Sequence, residues 1–470
     1  ADDDAVNSVT FSTTVAAATF NVGSTSKSGV VILNGDTTVT NLNIYGGDAN
    51  AEDSTVTVNG DLDTTTTTLD DGTNSAVTKI IFADSDTVTI TGAITAATAN
   101  DGTIQVTGAN KTFSGTIGGT RIGTLDINET STYTGAVTVD SLDIAANKTA
   151  TFKNNVTLNT SATINSSATF LVTSAGTPAA ITVTGSVLGA SDGVGTVQIT
   201  NTGGTTFTTT VGNTANTLAL INIDQDTTFS GSVEATAINN AASTTATFSD
   251  NVTATITNSG TLLFNTSADK SVTGTISEAA GGDTTEIKVI DSADGAPATV
   301  TFTATVAADT LTVGTTSNAG AALFEDDVTV PAINITGANS GDENSTVTFK
   351  TAVTATAIVL DDSGIAGKAK VIFATTNDAT ITGTINGSAT TEGSIQITGA
   401  TKTFASIIGG SNPLTLIDID GTSIFNAAVS ATNIDNDGTA TFKSDVTAAT
   451  ANDGTLTLTP NGDNDILIDS

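Results

Sequence analysis

The chain has 470 residues, a formal net charge of −35, and no Cys, Met, Trp or His. Those absences exclude disulfides and thiol chemistry and remove the usual catalytic base. The acidic balance argues against nucleic acid, whose phosphates call for clustered Lys and Arg, and no apolar run approaches the ~18 residues that would span a bilayer.

A chain without Met cannot begin at its own initiator. Ala1-Asp-Asp-Asp reads as the end left by removal of a signal peptide, the alternative being a start inside a longer protein. An exported protein, extracellular or on the cell surface, is therefore expected, with no membrane insertion by this chain.

Residues 1–10 form a short N-terminal segment, and the repeats begin at Phe11. From there the chain reads as short runs alternating at period two and rich in Val, Ile and Thr. Examples are Val56-Thr-Val58, Val88-Thr-Ile90, Ile104-Gln-Val106, Leu125-Asp-Ile127, Ile181-Thr-Val183, Val197-Gln-Ile199, Ile395-Gln-Ile397 and Leu456-Thr-Leu458. This is the strand signal. Between runs, pairs such as Asn34-Gly35, Asp101-Gly102, Gly118-Gly119 and Asp453-Gly454 offer turns. No segment carries sustained helical periodicity.

A motif punctuates the runs. Thr149-Ala-Thr-Phe152-Lys-Asn-Asn-Val156 recurs around Phe248/Val252 and Phe442/Val446. Its common core is an aromatic, three small or polar residues, then a β-branched residue. Looser copies sit at Phe11/Val15, Phe113/Ile117, Tyr133/Val137, Phe207/Val211, Phe229/Val233, Phe302/Val306, Phe349/Val353, Phe404/Ile408 and Phe425/Val429. Phe20 reads as the one Phe outside the register.

A longer period divides the chain into units 11–112, 113–206, 207–301, 302–403 and 404–470. Residues 9–158 reappear at 300–448, shifted by 290–292 positions; Lys79-Ile-Ile-Phe82 answers Lys370-Val-Ile-Phe373, and Lys111-Thr-Phe113 answers Lys402-Thr-Phe404. Five units of about four coils each predict about twenty coils of an all-β, parallel β-helix-like β-solenoid. At ~4.8 Å per coil these would make a rod on the order of 95 Å long. A string of β-sandwich domains is the competing all-β reading, but a sandwich core has no need of one motif in every strand pair.

The solenoid reading predicts a core ladder in which each aromatic stacks on that of the next coil. Its members are Phe113, Tyr133, Phe152, Phe207, Phe229, Phe248, Phe302, Phe324, Phe349, Phe404, Phe425 and Phe442.

Passages such as Thr112-Phe-Ser-Gly-Thr-Ile117, Phe229-Ser-Gly-Ser-Val233 and Ile424-Phe-Asn-Ala-Ala-Val429 resemble the repeats of autotransporter passenger domains and bacterial surface-layer proteins. That resemblance is one of style and covers nearly the whole chain. It implies a secreted β-solenoid displayed on a cell surface, although no C-terminal membrane barrel accompanies it.

Catalysis has little to work with. Paired carboxylates such as Asp84/Asp86, Asp224/Asp226, Asp418/Asp420 and Asp435/Asp437 suit turns or solvent-facing strands better than a glycosidase pair, and the chain reads as no enzyme. Calcium is the one cofactor suggested, because Asp at turns offers oxygen ligands. Its candidate ligands are Asp326, Asp327, Asp463 and Asp465, the last two in Asn461-Gly-Asp463-Asn-Asp465, which resembles one turn of the Gly/Asp calcium repeats of secreted solenoids.

The repeat runs from Val9-Thr-Phe11 to Leu456-Thr-Leu458 with no cap, and bare strand edges invite pairing. The expected function is a structural subunit that assembles head to tail into a filament or surface layer. Val6, Val9 and Phe11 are candidates for a strand donated to a neighbour. An adhesin contacting glycans or a cell surface is the alternative, and a polysaccharide-active solenoid enzyme is the third reading.

Overall fold

The computed structural model describes residues 8–47, 53–72, 76–84, 86–176, 178–281, 284–291, 296–338, 344–363, 367–375, 377–459 and 466–469. These contain strands, turns and bends, with no helix among them. The fold is a parallel β-solenoid of about 18 turns, close to the count read from the motifs. The chain divides into two compact units, Ala1–Ala237 and Ile238–Ser470. The five sequence boundaries count the repeat: those at 112/113, 206/207, 301/302 and 403/404 each fall inside a strand.

In the N-terminal unit each coil crosses three parallel sheets. The first sheet begins with Ser8–Phe11, Val30–Leu33, Ser54–Val58, Thr78–Phe82 and Asp101–Val106, each paired in register with the next along the stack. The second and third begin with the two halves of Val15–Val22, Thr37–Tyr45 and Leu62–Asp70. Alternation explains the pattern: in Ser54–Val58 residues 54, 56 and 58 are buried and 55 and 57 less so. All eight alternating runs quoted from the sequence lie within strands.

The interior consists of columns, one residue per coil. One column in the first sheet is Phe11, Leu33, Val58, Phe82, Val106, Ile127, Ile144 and Ile164. A second is Leu62, Ile90, Phe113, Tyr133, Phe152, Val172, Ile199 and Ile223. A third runs Phe20, Leu42, Thr67, Ile94, Ile117, Val137, Val156, Val183, Phe207 and Phe229. Two expectations need correction here. Phe20 is in register: it heads the column that ends in Phe207 and Phe229. And the aromatics form several ladders, because they change column along the stack.

The motif explains that change. Its Phe closes a strand of one sheet, the three small residues turn the corner, and its β-branched residue opens the next sheet. Phe11/Val15 turns from the first sheet to the second, Phe152/Val156 from the second to the third, and Phe207/Val211 from the third to the first. One five-residue corner thus serves all three corners of the coil.

Within a column the rings stack: Phe113–Tyr133 centroids lie 4.9 Å apart at an interplanar angle of 7°, and Tyr133–Phe152 5.2 Å apart at 15°. At a change of column they meet edge to face in Phe82–Phe113, at 88°, and tilted in Phe152–Phe170, at 31°. The stacked and edge-to-face geometries suit the ring quadrupole.

The C-terminal unit repeats this plan. Its columns include Phe302, Phe324, Phe349, Phe373, Ile397 and Ile419, and Val306, Val328, Val353, Ile381, Phe404, Phe425, Phe442 and Leu458. A third holds the Phe248–Phe264 pair. The handover Phe373–Phe404, at 83°, is the copy of Phe82–Phe113.

Two Gly pairs read as turns lie in strands instead. Gly102 is in Asp101–Val106 and Gly118 in Ile117–Ile127. Gly118 and its copy Gly409 take φ of +81° and +69°, and a Cβ at either would run into the carbonyl of Thr138 or Ser430. There the chain bends at a positive φ while the parallel pairing continues on both sides.

Candidate assembly site

The acidic residues are the most numerous chemical groups, and their first task is local. Many Asp and Asn side chains in corners accept a backbone N–H from the next coil. Asp36 accepts from Asp61, Asp61 from Thr89, Asp269 from Thr299, Asp327 from Ala352 and Asp378 from Thr401, at 2.9–3.2 Å. Asn155 and Asn251, both in sequons, do the same for Thr182 and Ser271 at 2.8 Å. A second device closes loops: Asp71, Asp291 and Asp362 each accept the N–H seven residues on, at 2.6–2.9 Å. Each such bond satisfies a backbone donor that the corner leaves unpaired.

The proposed calcium ligands fall within this pattern or outside the described residues. Asp326 accepts from the N–H of Asp327 at 2.8 Å, and Asp327 staples the next coil. Asp463 and Asp465 lie outside the described residues, as does Val6. Among the described residues, no group of three or more acidic side chains is placed to hold a metal ion, and no helix is long and apolar enough to cross a membrane.

The cations are dispersed. Lys148 pairs with Glu129, Lys270 with Asp250 and Lys350 with Glu325, at 2.7–2.9 Å, each bridging neighbouring coils. Arg121 sits 3.7 Å from Asp140 and donates to Asn100. A hollow of about 350 Å³ over Thr299–Phe302 and its neighbours is lined by uncharged residues such as Pro297, Thr299, Asn344 and Thr346.

Carboxylates also face each other on one outer sheet. Asp126 opposes Asp143 on adjacent strands, and their copies Asp418 and Asp435 do the same. Burial pushes the Asp143 carboxyl up; a hydrogen bond from Asn165 opposes this and Asp126 adds to it. Burial pushes Asp418 up too, reinforced by Asp420, Asp435 and Asp437 and relieved in part by Lys370.

Sequence reasoning missed two buried cations. Lys111 is 1% exposed and its Nζ donates to the carbonyls of Asp84, Asp86 and Ala109 at 2.6, 2.7 and 3.2 Å. Its copy Lys402 is equally buried and donates to Ala400 at 2.6 Å. Burial lowers both ammonium groups, and nearby Asp84 and Asp86, or Asp378, oppose the shift. The only signal was the repetition of Lys-Thr-Phe itself.

The end coils differ from all others. Among the described residues Ser8–Phe11 pairs only with Val30–Leu33, and Val15–Val22 only with Thr37–Tyr45. Val9 is 51% exposed and Phe11, Val15 and Phe20 are half-buried. Phe11 and Phe20 meet edge to face, 5.5 Å apart. Here a further correction applies: Val9 and Phe11 were read as part of an arm reaching into a neighbour. They are the first rung of their own solenoid, held in register opposite Val31 and Leu33. At the other end Thr455–Leu458 pairs only with Thr439–Phe442, and Leu458 is 39% exposed.

No family model, no curated protein and no solved structure matches the chain.

Proposed function

We propose that the protein is a structural β-solenoid that acts outside the cell, its copies joined end to end into a filament or surface layer. The observation that carries this reading is the one-sided pairing of the first and last coils among the described residues. Among the described residues, columns that are almost fully buried elsewhere reach Val9, Phe11, Phe20 and Leu458 with a partner strand on one side only. A parallel edge of this kind is a template for another strand. A head-to-tail contact of unlike ends does not close on itself, so it propagates. The outer faces fit a structural role, since the Asp side chains cap corners and several of the Lys tie neighbouring coils together. The net charge of −35 opposes approach of two copies, and divalent cations such as calcium lower that barrier by screening and by bridging carboxylates.

Purified chain at rising concentration, followed by light scattering and negative-stain microscopy, tests the reading. End-to-end assemblies are expected, more of them with calcium and fewer after chelation. A chain that stays monomeric at high concentration with calcium would sink it and bring the adhesin reading forward.

A further inference from the structure

The internal duplication shows what kind of object fits the first coil. Thr299–Phe302, Val306–Ala307 and Thr310–Val313 are the copies of Ser8–Phe11 and the two halves of Val15–Val22. In the C-terminal unit these strands have a coil on both sides. Lys270–Thr273 pairs with the first of them, placing Val272 opposite Phe302. Ile276 opposes Val306, and Glu286–Asp291 pairs with Thr310–Val313. The effect on burial is large: Val300 and Phe302 are 0% and 1% exposed, whereas their copy Val9 is 51% exposed and Phe11 half-buried. The first coil therefore has the composition of a coil inside the stack and, among the described residues, a partner on one side only. What fits its other side is another parallel solenoid coil.

We propose that this partner is the last coil of a second copy of the chain, seated in a single register with Ala451 opposite Thr10 and Leu458 opposite Val15. The inference rests on the end-to-end reading and specifies its interface. The register follows from the rows of the C-terminal unit. Thr301, Leu323, Thr348, Ile372, Gln396, Asp418, Asp435 and Ala451 form one row along adjacent strands, and Thr10 is the copy of Thr301. Val306 and Leu458 lie in one inward column, and Val15 is the copy of Val306. Laying the last coil on the first without a step or a turn continues every row. Leu458 then covers Val15, removing an exposed and a half-buried apolar group from water. Asn452 meets Phe11, a polar rung of the contact, with its amide already donating to the Gly454 carbonyl.

The chain has no cysteine, so the register can be read by engineered disulfides. Residues opposite each other on adjacent parallel strands stand ~4.8 Å apart, inside disulfide range. Thr10 and Ala451 are both exposed. The Thr10→Cys/Ala451→Cys variant, assembled and then oxidised, should run as a ladder of covalent multimers on a non-reducing gel. Either single variant should give no species beyond a dimer. Thr10→Cys/Thr457→Cys, whose partners are out of register, should give no ladder. Assemblies by microscopy with no ladder from the first pair, or with an equal ladder from the second, overturn the register while leaving end-to-end assembly standing. Absence of any assembly overturns the function reading and this interface with it.

Discussion

Residues 9–158 and 300–448 are two drafts of one structure, and they fill the same column differently. The first has Phe11, Leu33, Val58 and Phe82; the second has Phe302, Phe324, Phe349 and Phe373. Leu33 and Val58 are as fully buried as Phe324 and Phe349. An aromatic is therefore one filling of the coil, not a condition for forming it. The strand register is shared, as are the Asp36 staple, copied in Asp327, and the Asp71 loop closure, copied in Asp362, and these carry the coil through positions where the ring is absent. What the rings add is stacking, worth roughly 0.5–1.5 kcal/mol per pair beyond burial.

Truncation of a stacked ring is the largest expected effect. Phe324→Ala should cost ~3–5 kcal/mol, because Phe302 and Phe349 hold the cavity open on both sides. Phe324→Leu, which gives the second draft the filling of the first, should cost less than half as much, since volume is largely kept. Equal melting shifts for the two would mean that ring stacking, and not volume, holds the coil. Phe152→Ala should likewise destabilise far more than Phe20→Ala. Phe152 is fully buried between Tyr133 and Phe170, whereas Phe20 is half-buried and, among the described residues, has a strand partner on one side only.

A smaller effect is expected at the buried lysines. Lys111→Met keeps the apolar stem but strips three carbonyls of their donor, and a buried group left unpaired costs ~1–3 kcal/mol. Lys402→Met at the duplicate site should cost a similar amount. A melting point unchanged in both variants would show that water satisfies those carbonyls as well as the ammonium does.

The fold was legible because period-two alternation and the corner motif are local signals, and about 18 turns repeat them. Val88-Thr-Ile90 announces a strand without knowledge of its neighbours. The column a residue joins is not local. The place of Phe20 is set by its pairing with Leu42 one coil on, which the spacing of the motif does not show. The roles of Asp36, Asp61 and Asp327 were hidden for the same reason. Each caps a donor 25 or 28 residues away, and coil lengths vary too much for spacing to reveal the partner. Lys111 and Lys402 resembled surface lysines next to a Thr. Only the stack above and below shows that their heads are enclosed. Of the candidate assembly site, the repeat itself was legible, but which rows reach the first and last described strands had to come from the pairing.

The smallest effect concerns pH, and it separates the two drafts on their outer face. Asp418 and Asp143 both have carboxyl groups held above the usual range by burial, and both face a like charge on an adjacent strand. Their surroundings differ. Asn165 donates to Asp143 at 3.0 Å. Asp418 is faced by Asp420, Asp435 and Asp437, with Gln396 beside it and Lys370 its one favourable charge. A carboxyl whose folded pKa is raised binds more protons folded than unfolded, so its ionisation weakens the fold as pH climbs through the folded value. Conversely, stability is gained as pH falls from that value toward the ordinary Asp value of about 3.9. Asp418→Asn should therefore raise the melting temperature at pH 7, and the gain over the parent should shrink toward pH 4. Asp143→Asn should give a smaller gain, because it also turns the charged acceptor of the Asn165 hydrogen bond into a weaker, neutral one. The exposed Asp192, changed to Asn, controls for the loss of one unit from the overall charge. Melting curves of the four proteins between pH 4 and 7 check this. If Asp418→Asn tracks the Asp192→Asn control at every pH, the facing carboxylates carry no strain of their own.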